Sequence, residues 1–385
     1  MHKKKLLIIS VSAGRGHVRA AEALKKTATA LVADTELTVE HIDMMEYVSM
    51  PLRKAIIETY DVLVRTIPSL WGYIYEKTND DKRVKTVSKI IKKANQFNSR
   101  KFYQFLNTFD PDYIICTHSF PAQVIEQSRE PRHKGIPLSV VITDYGIHSY
   151  WLVSTRATYF VATKKMKWEM VQKGIPEKHV IISGIPVDPI FCMNKSIPDL
   201  HSKYHISSTE RVVLLLSGGQ GFMKSDTVLA LLLQHTYTNP IRIIAVAGKN
   251  KKLVKQLGAV VQSAGTSIPV DIVGWTETVD EYLHLADVVV TKPGGSTTSE
   301  CILLGKPMIV INPIPGQEEH NAEYIADAGY GHIVRTGTDL LYYVDMYTTK
   351  PMSTCSDQAR TTPAAEVIVK TVYRDMIINM KSKNK

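Results

Sequence analysis

The sequence predicts two α/β domains, each a parallel sheet flanked by helices, on three observations. Short apolar runs bounded by turn residues alternate with helical patterns along most of the chain, as strands buried on both faces do. The chain has 385 residues, more than one hydrophobic core usually serves. A run with two prolines and a glycine, Gly184-Ile185-Pro186-Val187-Asp188-Pro189, breaks the pattern near mid-chain and reads as the exit from a first domain. The expected division is therefore 1–190 and 191–362, with a closing helix over 363–385.

The first half opens on Lys5-Leu6-Leu7-Ile8-Ile9-Ser10-Val11, a buried parallel strand by its continuous apolar character. Lys3-Lys4-Lys5 before it imitates a signal peptide, but the apolar part is too short and runs into Gly14-Arg15-Gly16-His17 rather than a cleavage site, so a cytoplasmic protein is expected. A helical pattern follows from Val18 to Val32, then a strand from Leu37 to Ile42. Residues 51–109 show no convincing strand and read as helical, punctuated by Pro51 and Pro68. Further short strands are expected at Tyr113–Thr117, Leu138–Thr143, Tyr159–Ala162 and His179–Ser183. Residues 190–208 read as a linker with a short helix. The second series runs through Arg211–Leu216, Arg242–Ala247, Val270–Val273, Val288–Thr291 and Met308–Asn312. Two such domains would leave a cleft at the carboxyl ends of their strands, where ligands of these sheets bind.

Composition narrows the function classes. Hydrophobic residues make up 44% and charged residues 22%, which excludes wholesale disorder. The longest apolar runs fall far short of the ~20 residues that a membrane-spanning helix needs. Cys116, Cys192, Cys301 and Cys355 are scattered without a CxxC pair, so reduced thiols and no zinc site are expected. The net charge of +10 is concentrated in one place: residues 51–105 hold 12 basic and 5 acidic side chains. Such an excess suits an anionic membrane surface or nucleic acid, or is simply a solvated basic face.

The sharpest local signal is Thr291-Lys292-Pro293-Gly294-Gly295-Ser296-Thr297-Thr298-Ser299-Glu300. A strand ends, glycines turn the chain, and Ser296 or Thr297 is placed to cap the next helix. Backbone N–H groups and the positive helix end then converge on one spot, a site for a phosphate or diphosphate. It is not a Walker A loop, since no Gly-Lys-Ser/Thr follows at the required spacing. Glu300, one turn in, can accept hydrogen bonds from a ribose diol. Pro313-Ile314-Pro315-Gly316-Gln317-Glu318-Glu319-His320-Asn321 comes one βα unit later, and Gln317, Glu318 and Asn321 can read sugar hydroxyls or merely begin a polar helix. Ser217-Gly218-Gly219-Gln220-Gly221 and Val273-Gly274-Trp275 are further strand-end turns; the indole lies near a base or simply packs.

In the first half, Ser12-Ala13-Gly14-Arg15-Gly16-His17 has a GxG but Arg19 where a dinucleotide fingerprint needs its last glycine. An imidazole at a helix start facing a cleft has its pKa pushed down, which favours a neutral base, though a packing histidine is the plain alternative. Asp144 in Thr143-Asp144-Tyr145-Gly146-Ile147-His148-Ser149-Tyr150-Trp151 can orient or deprotonate a hydroxyl, or cap a turn; His148 and Trp151 can line an acceptor groove.

Together these segments resemble one family, the GT-B glycosyltransferases that glycosylate diacylglycerol: the monogalactosyldiacylglycerol synthases and processive diacylglycerol β-glucosyltransferases, with the N-acetylglucosaminyltransferase that completes lipid II more distant. The matching stretches are Ser12–His17, Thr143–Trp151, Gly184–Val187, Gly274-Trp275, Lys292–Glu300 and Pro315–Asn321, in the family's order. The resemblance implies two Rossmann-like domains facing across a cleft, the first binding acceptor and membrane and the second UDP-sugar. It implies that Gly294, Gly295, Ser296 and Thr297 serve the diphosphate, Glu300 the ribose, Gly274 and Trp275 the uracil, and Gln317 and Glu318 the donor sugar, with Gly218, Gly219 and Asn321 also on the donor side. His17 is the implied catalytic position, with Asp144 beside it, and Gly14, Gly16, His148 and Trp151 the acceptor side. The implied reaction is inverting transfer of a hexose from UDP-glucose or UDP-galactose to diacylglycerol, on the cytoplasmic face of an anionic membrane, with no cofactor and no metal, since no DxD pair stands in a suitable loop. The segment from Tyr47 to Lys101, basic and interleaved with aromatics, matches the family's variable membrane-contact region. Alternatives are transfer to an undecaprenyl-linked saccharide, a nucleotide-sugar 2-epimerase, or a non-catalytic UDP-sugar sensor at the membrane. A nucleic-acid-binding protein would not need the glycine turns of the second half.

Overall fold

The computed structural model describes residues 3–12, 14–50, 53, 100–218, 224–316, 318–350 and 363–383. The chain divides into two compact units, Met1–Pro189 with Thr362–Lys385, and Ile190–Thr361.

The first unit is a six-stranded parallel sheet in the order β2-β1-β3-β4-β5-β6. Its strands are β1 (Lys4–Ser10), β2 (Leu37–Asp43), β3 (Tyr113–Cys116), β4 (Leu138–Val141), β5 (Thr158–Val161) and β6 (Val180–Ile182). The basic start of the chain is thus the second strand of the sheet, paired with β2 from Lys4–Leu37 to Ser10–Asp43. Leu7, Ile9, Ile114, Cys116, Val140, Tyr159 and Val161 point to one face, against α2 (Arg100–Phe109), α3 (Ser119–Glu126) and α5 (Lys164–Gln172); a short α4 (Pro131–Gly135) joins α3 to β4. Leu6, Ile8, Tyr113, Ile115, Val141 and Phe160 point to the other, under α1 (Arg15–Leu31) and the last helix, Ala364–Lys383, which buries Ala365, Ile368, Val369, Val372 and Met376. The alternation follows from the two-residue period of a strand.

The second unit begins with a short α6 (Ile197–Lys203). Its strands are β7 (Arg211–Leu216), β8 (Ile241–Val246), β9 (Val270–Val273), β10 (Val288–Thr291), β11 (Met308–Val310) and β12 (Gly331–Ile333), in the order β12-β11-β10-β7-β8-β9. Between them run α7 (Ser225–Leu233), α8 (Lys251–Ala264), α9 (Val279–Leu285), α10 (Gly295–Leu303), α11 (Glu319–Asp327) and α12 (Gly337–Thr349); the last helix of the chain is α13. The strand β12 is absent from the sequence-based expectation. It has only Gly-His-Ile, and the glycine is required because a Cβ on Gly331 would fall 1.9 Å from the Met308 carbonyl oxygen.

Each sheet winds outward in opposite directions from one adjacent pair, β1 and β3 in the first and β7 and β10 in the second. Loops leaving the carboxyl ends of such a pair run in opposite directions and open a crevice, which is where sheets of this kind hold ligands. Among the described residues no helix is long and apolar enough to cross a membrane.

Candidate functional site

The first switch point is built from side chains. Gly14 caps α1 at φ 102°, a conformation other residues adopt only under strain, and sends the chain into the helix so that His17 lies in its first turn. The Nδ1 atom of His17 is 2.9 Å from the Thr117 carbonyl oxygen, at the end of β3, and 2.8 Å from the Thr143 hydroxyl, after β4. A carbonyl oxygen only accepts, so Nδ1 carries the proton and the Nε2 lone pair is left for chemistry. The Thr117 hydroxyl donates back to the His17 carbonyl at 2.9 Å, which locks α1 to the end of β3. Burial pushes the His17 pKa down to about 4, against the opposing pull of the Thr117 carbonyl, so the ring is neutral at pH 7.

A second imidazole, unremarked in the sequence, stands edge-on to the first. The rings of His17 and His118 are 4.6 Å apart at 81°. His118 accepts a hydrogen bond at Nδ1 from the Phe120 amide, 3.0 Å away, and so caps α3. Its proton is therefore on Nε2, the opposite tautomer to His17. Burial and the neighbouring His17 hold its pKa well below the usual range. Trp151, 1% exposed, backs both rings at 6.2 and 5.9 Å. His148 is also buried and accepts from the Tyr150 amide at 3.2 Å. Both residues expected on an acceptor groove are therefore buried, and Trp151 lies beside the His17 ring. Asp144 is partly exposed in the turn after β4, one residue past Thr143, and Gly16 is in the first turn of α1. The two groups at Nδ1 of His17 are neutral oxygens, the Thr117 carbonyl and the Thr143 hydroxyl.

The second switch point is built from backbone. Gly294 is the N-cap of α10, without a side-chain cap bond, so Ser296 and Thr297, expected as caps, lie inside the first turn instead. The first-turn N–H groups of a helix have no intrahelical acceptor and present the positive end of its dipole. Gly218 leaves β7 across the switch point, while Gly219 and Gln317 lie outside the described residues. Glu300 is 3% exposed, one turn inside α10.

Glu318 and Asn321 support this turn from below. The Glu318 carboxylate accepts from the Ile314 amide at 2.8 Å, is 3.9 Å from the Lys292 ammonium, and would be 3.9 Å from a Cβ on Gly294. Burial raises its pKa, and Lys292 works against that rise. Asn321, fully buried, donates to the Pro293 carbonyl at 2.9 Å. At the neighbouring strand ends, Gly274 leads to Trp275, which is 51% exposed, so its indole is not simply packed. The Lys249 ammonium lies 4.6 Å over that ring. The sequence reading missed Lys249. Its only signal is a place after β8, the strand beside β7.

The basic stretch 54–99 is outside the described residues, so the expected membrane-contact segment, with Lys82, Arg83, Lys85, Lys89, Lys92 and Lys93, is too.

Residues 17–187 match the monogalactosyldiacylglycerol (MGDG) synthase family, and residues 212–366 match the glycosyltransferase family 28 C-terminal domain. A processive diacylglycerol beta-glucosyltransferase of Bacillus subtilis (strain 168) is 27% identical over 340 residues, 88% of this chain and 85% of the relative. One from Staphylococcus carnosus (strain TM300) is 29% identical over 347 residues, 89% and 84% of the two chains. In fold, the crystal structure of Acinetobacter baumannii MurG superposes with a TM-score of 0.64 at 13% identity, over 96% of this chain and 99% of that one. With both domains present in this order, the chain belongs to the family 28 glycosyltransferases, enzymes of the GT-B fold.

Proposed function

We propose that this enzyme transfers a hexose from a UDP-sugar to diacylglycerol with inversion, making a β-glycosyldiacylglycerol at the cytoplasmic face of a membrane. The observation that carries the reading is the His17 ring, neutral, with Nδ1 occupied and Nε2 available. A base of that form takes the proton of an acceptor hydroxyl as its oxygen attacks the anomeric carbon. The bond from that carbon to the diphosphate breaks on the opposite face, and the leaving oxygen gathers negative charge. The first-turn amides of α10, with Lys292 beside them, offer fixed positive potential to that charge, a task that then asks for no divalent ion. Gly14 and Gly16 allow close approach of the acceptor to the helix start, Trp151 backs the base, and His148 lines the acceptor side. Trp275 stacks on the uracil, Glu300 takes the ribose, and Glu318 with Gln317 reads the sugar. Relatives named as diacylglycerol glucosyltransferases over most of their length support the lipid acceptor over a prenyl-linked saccharide or a silent sensor.

The test is incubation with diacylglycerol vesicles and a panel of UDP-sugars, reading UDP release and glycolipid. A glycolipid formed equally with and without EDTA supports the reading. UDP-sugar binding with no product, or product only on a prenyl-linked saccharide, removes it.

A further inference from the structure

We propose that α5, on the first unit, is a membrane-docking surface for anionic lipid, separate from the basic stretch 51–105. The inference rests on the lipid acceptor proposed above.

The helix Lys164–Gln172 turns Met166 and Met170 into the sheet and leaves Lys164, Lys165, Trp168 and Gln172 outward, a single stripe at helical spacing. Trp168 is 64% exposed. A soluble fold gains nothing by holding an indole in water, whereas an indole at a lipid interface buries its ring and keeps its N–H wet. Lysines surround it: Lys164 and Lys165 one turn before, Lys173 and Lys178 after, all exposed, against Glu169 and Glu177 in the same stretch. Glu177 is paired with Lys167 at 3.3 Å. Among the described residues none of those four exposed lysines has an ion-pair partner, so no described carboxylate offsets their charge.

Two features point to lipid rather than to bare solvent. Lys164 and Lys165 occupy the first turn of α5, which holds no acidic residue, and cations there oppose the helix dipole. A local rule is broken with no compensating acidic residue in that turn, which is how functional surfaces show themselves. That turn also follows the carboxyl end of β5 directly, on the edge of the sheet that bears His17, so lipid held there lies at the edge where an acceptor must arrive. The same sheet face carries α2, whose Arg100 and Lys101 end the basic stretch, so the charge is continuous in kind. An anionic bilayer is complementary to such a surface.

The test uses the full chain and vesicles of phosphatidylcholine with and without phosphatidylglycerol, without UDP-sugar. Each lysine near an anionic surface contributes about fivefold to partition. Lys164→Gln with Lys165→Gln is therefore expected to weaken binding to phosphatidylglycerol vesicles about 25-fold at low salt. Brominated phosphatidylglycerol is expected to quench the wild type more than Trp168→Phe. Both variants keep wild-type turnover on diacylglycerol in detergent micelles, which shows that they are folded. Unchanged partition together with unchanged quenching overturns the proposal, as does a change confined to self-association. Vesicle binding that needs α5 in a wild type that makes no glycolipid in micelles upholds this surface and removes the glycolipid reading instead.

Discussion

The two sheets solve the same geometric problem with different materials. At the β1/β3 switch point the working groups are side chains: two imidazoles, two threonine hydroxyls and an indole, tied across loops about 100 residues apart in sequence. At the β7/β10 switch point they are backbone amides with Lys292 beside them, and Glu318 and Asn321 also hold the surrounding backbone. Proton transfer needs a titratable atom held in one tautomer. An anion needs only fixed dipoles at close range, and glycine gives closest access to them. Under the proposed function, the difference in composition matches a difference in task.

The comparison is most severely strained by removing His17. His17→Ala lowers kcat by about 10²–10⁴-fold, measured as UDP release in the presence of acceptor. Asn321→Ala comes next, since it leaves the buried Pro293 carbonyl unpaired at a cost of about 1–3 kcal/mol, read as lower thermal stability and weaker UDP binding with the His17 chemistry untouched. Trp275→Ala follows, raising KM for the UDP-sugar about five- to tenfold, with kcat unchanged. The smallest effect is on pH dependence. A ring with its pKa at about 4 remains a base well below pH 6.5, so the acid limb of kcat/KM falls near 4. The stability sign follows from the same shift: the unfolded ring binds its proton first, so the contribution of neutral His17 is whole above 6.5 and is lost as pH falls through about 4. An acid limb at 6.5 would assign the base elsewhere.

Much of this was legible beforehand because buried parallel strands announce themselves as apolar runs; the first eleven strands were all expected. The three-residue β12 was not, since its glycine is dictated by a neighbouring carbonyl that only the fold supplies. His17 and the Gly294-Gly295 turn stood out because each lies in a local motif. His118 and Lys249 did not, because their meaning depends on which strands are neighbours. Residue type also misleads about depth: Trp151 and His148 suggest a groove surface but are buried, whereas Trp275 suggests packing but is exposed. The closing helix was read correctly as a helix, yet nothing in its pattern says that it packs on the first unit.

The division of labour between the two switch points is tested most directly by titrating UDP into His17→Ala by calorimetry beside a turnover assay of the same preparation. The account predicts a UDP Kd within about twofold of wild type, while turnover falls at least about 100-fold. A loss of UDP affinity as large as the loss of turnover would contradict it.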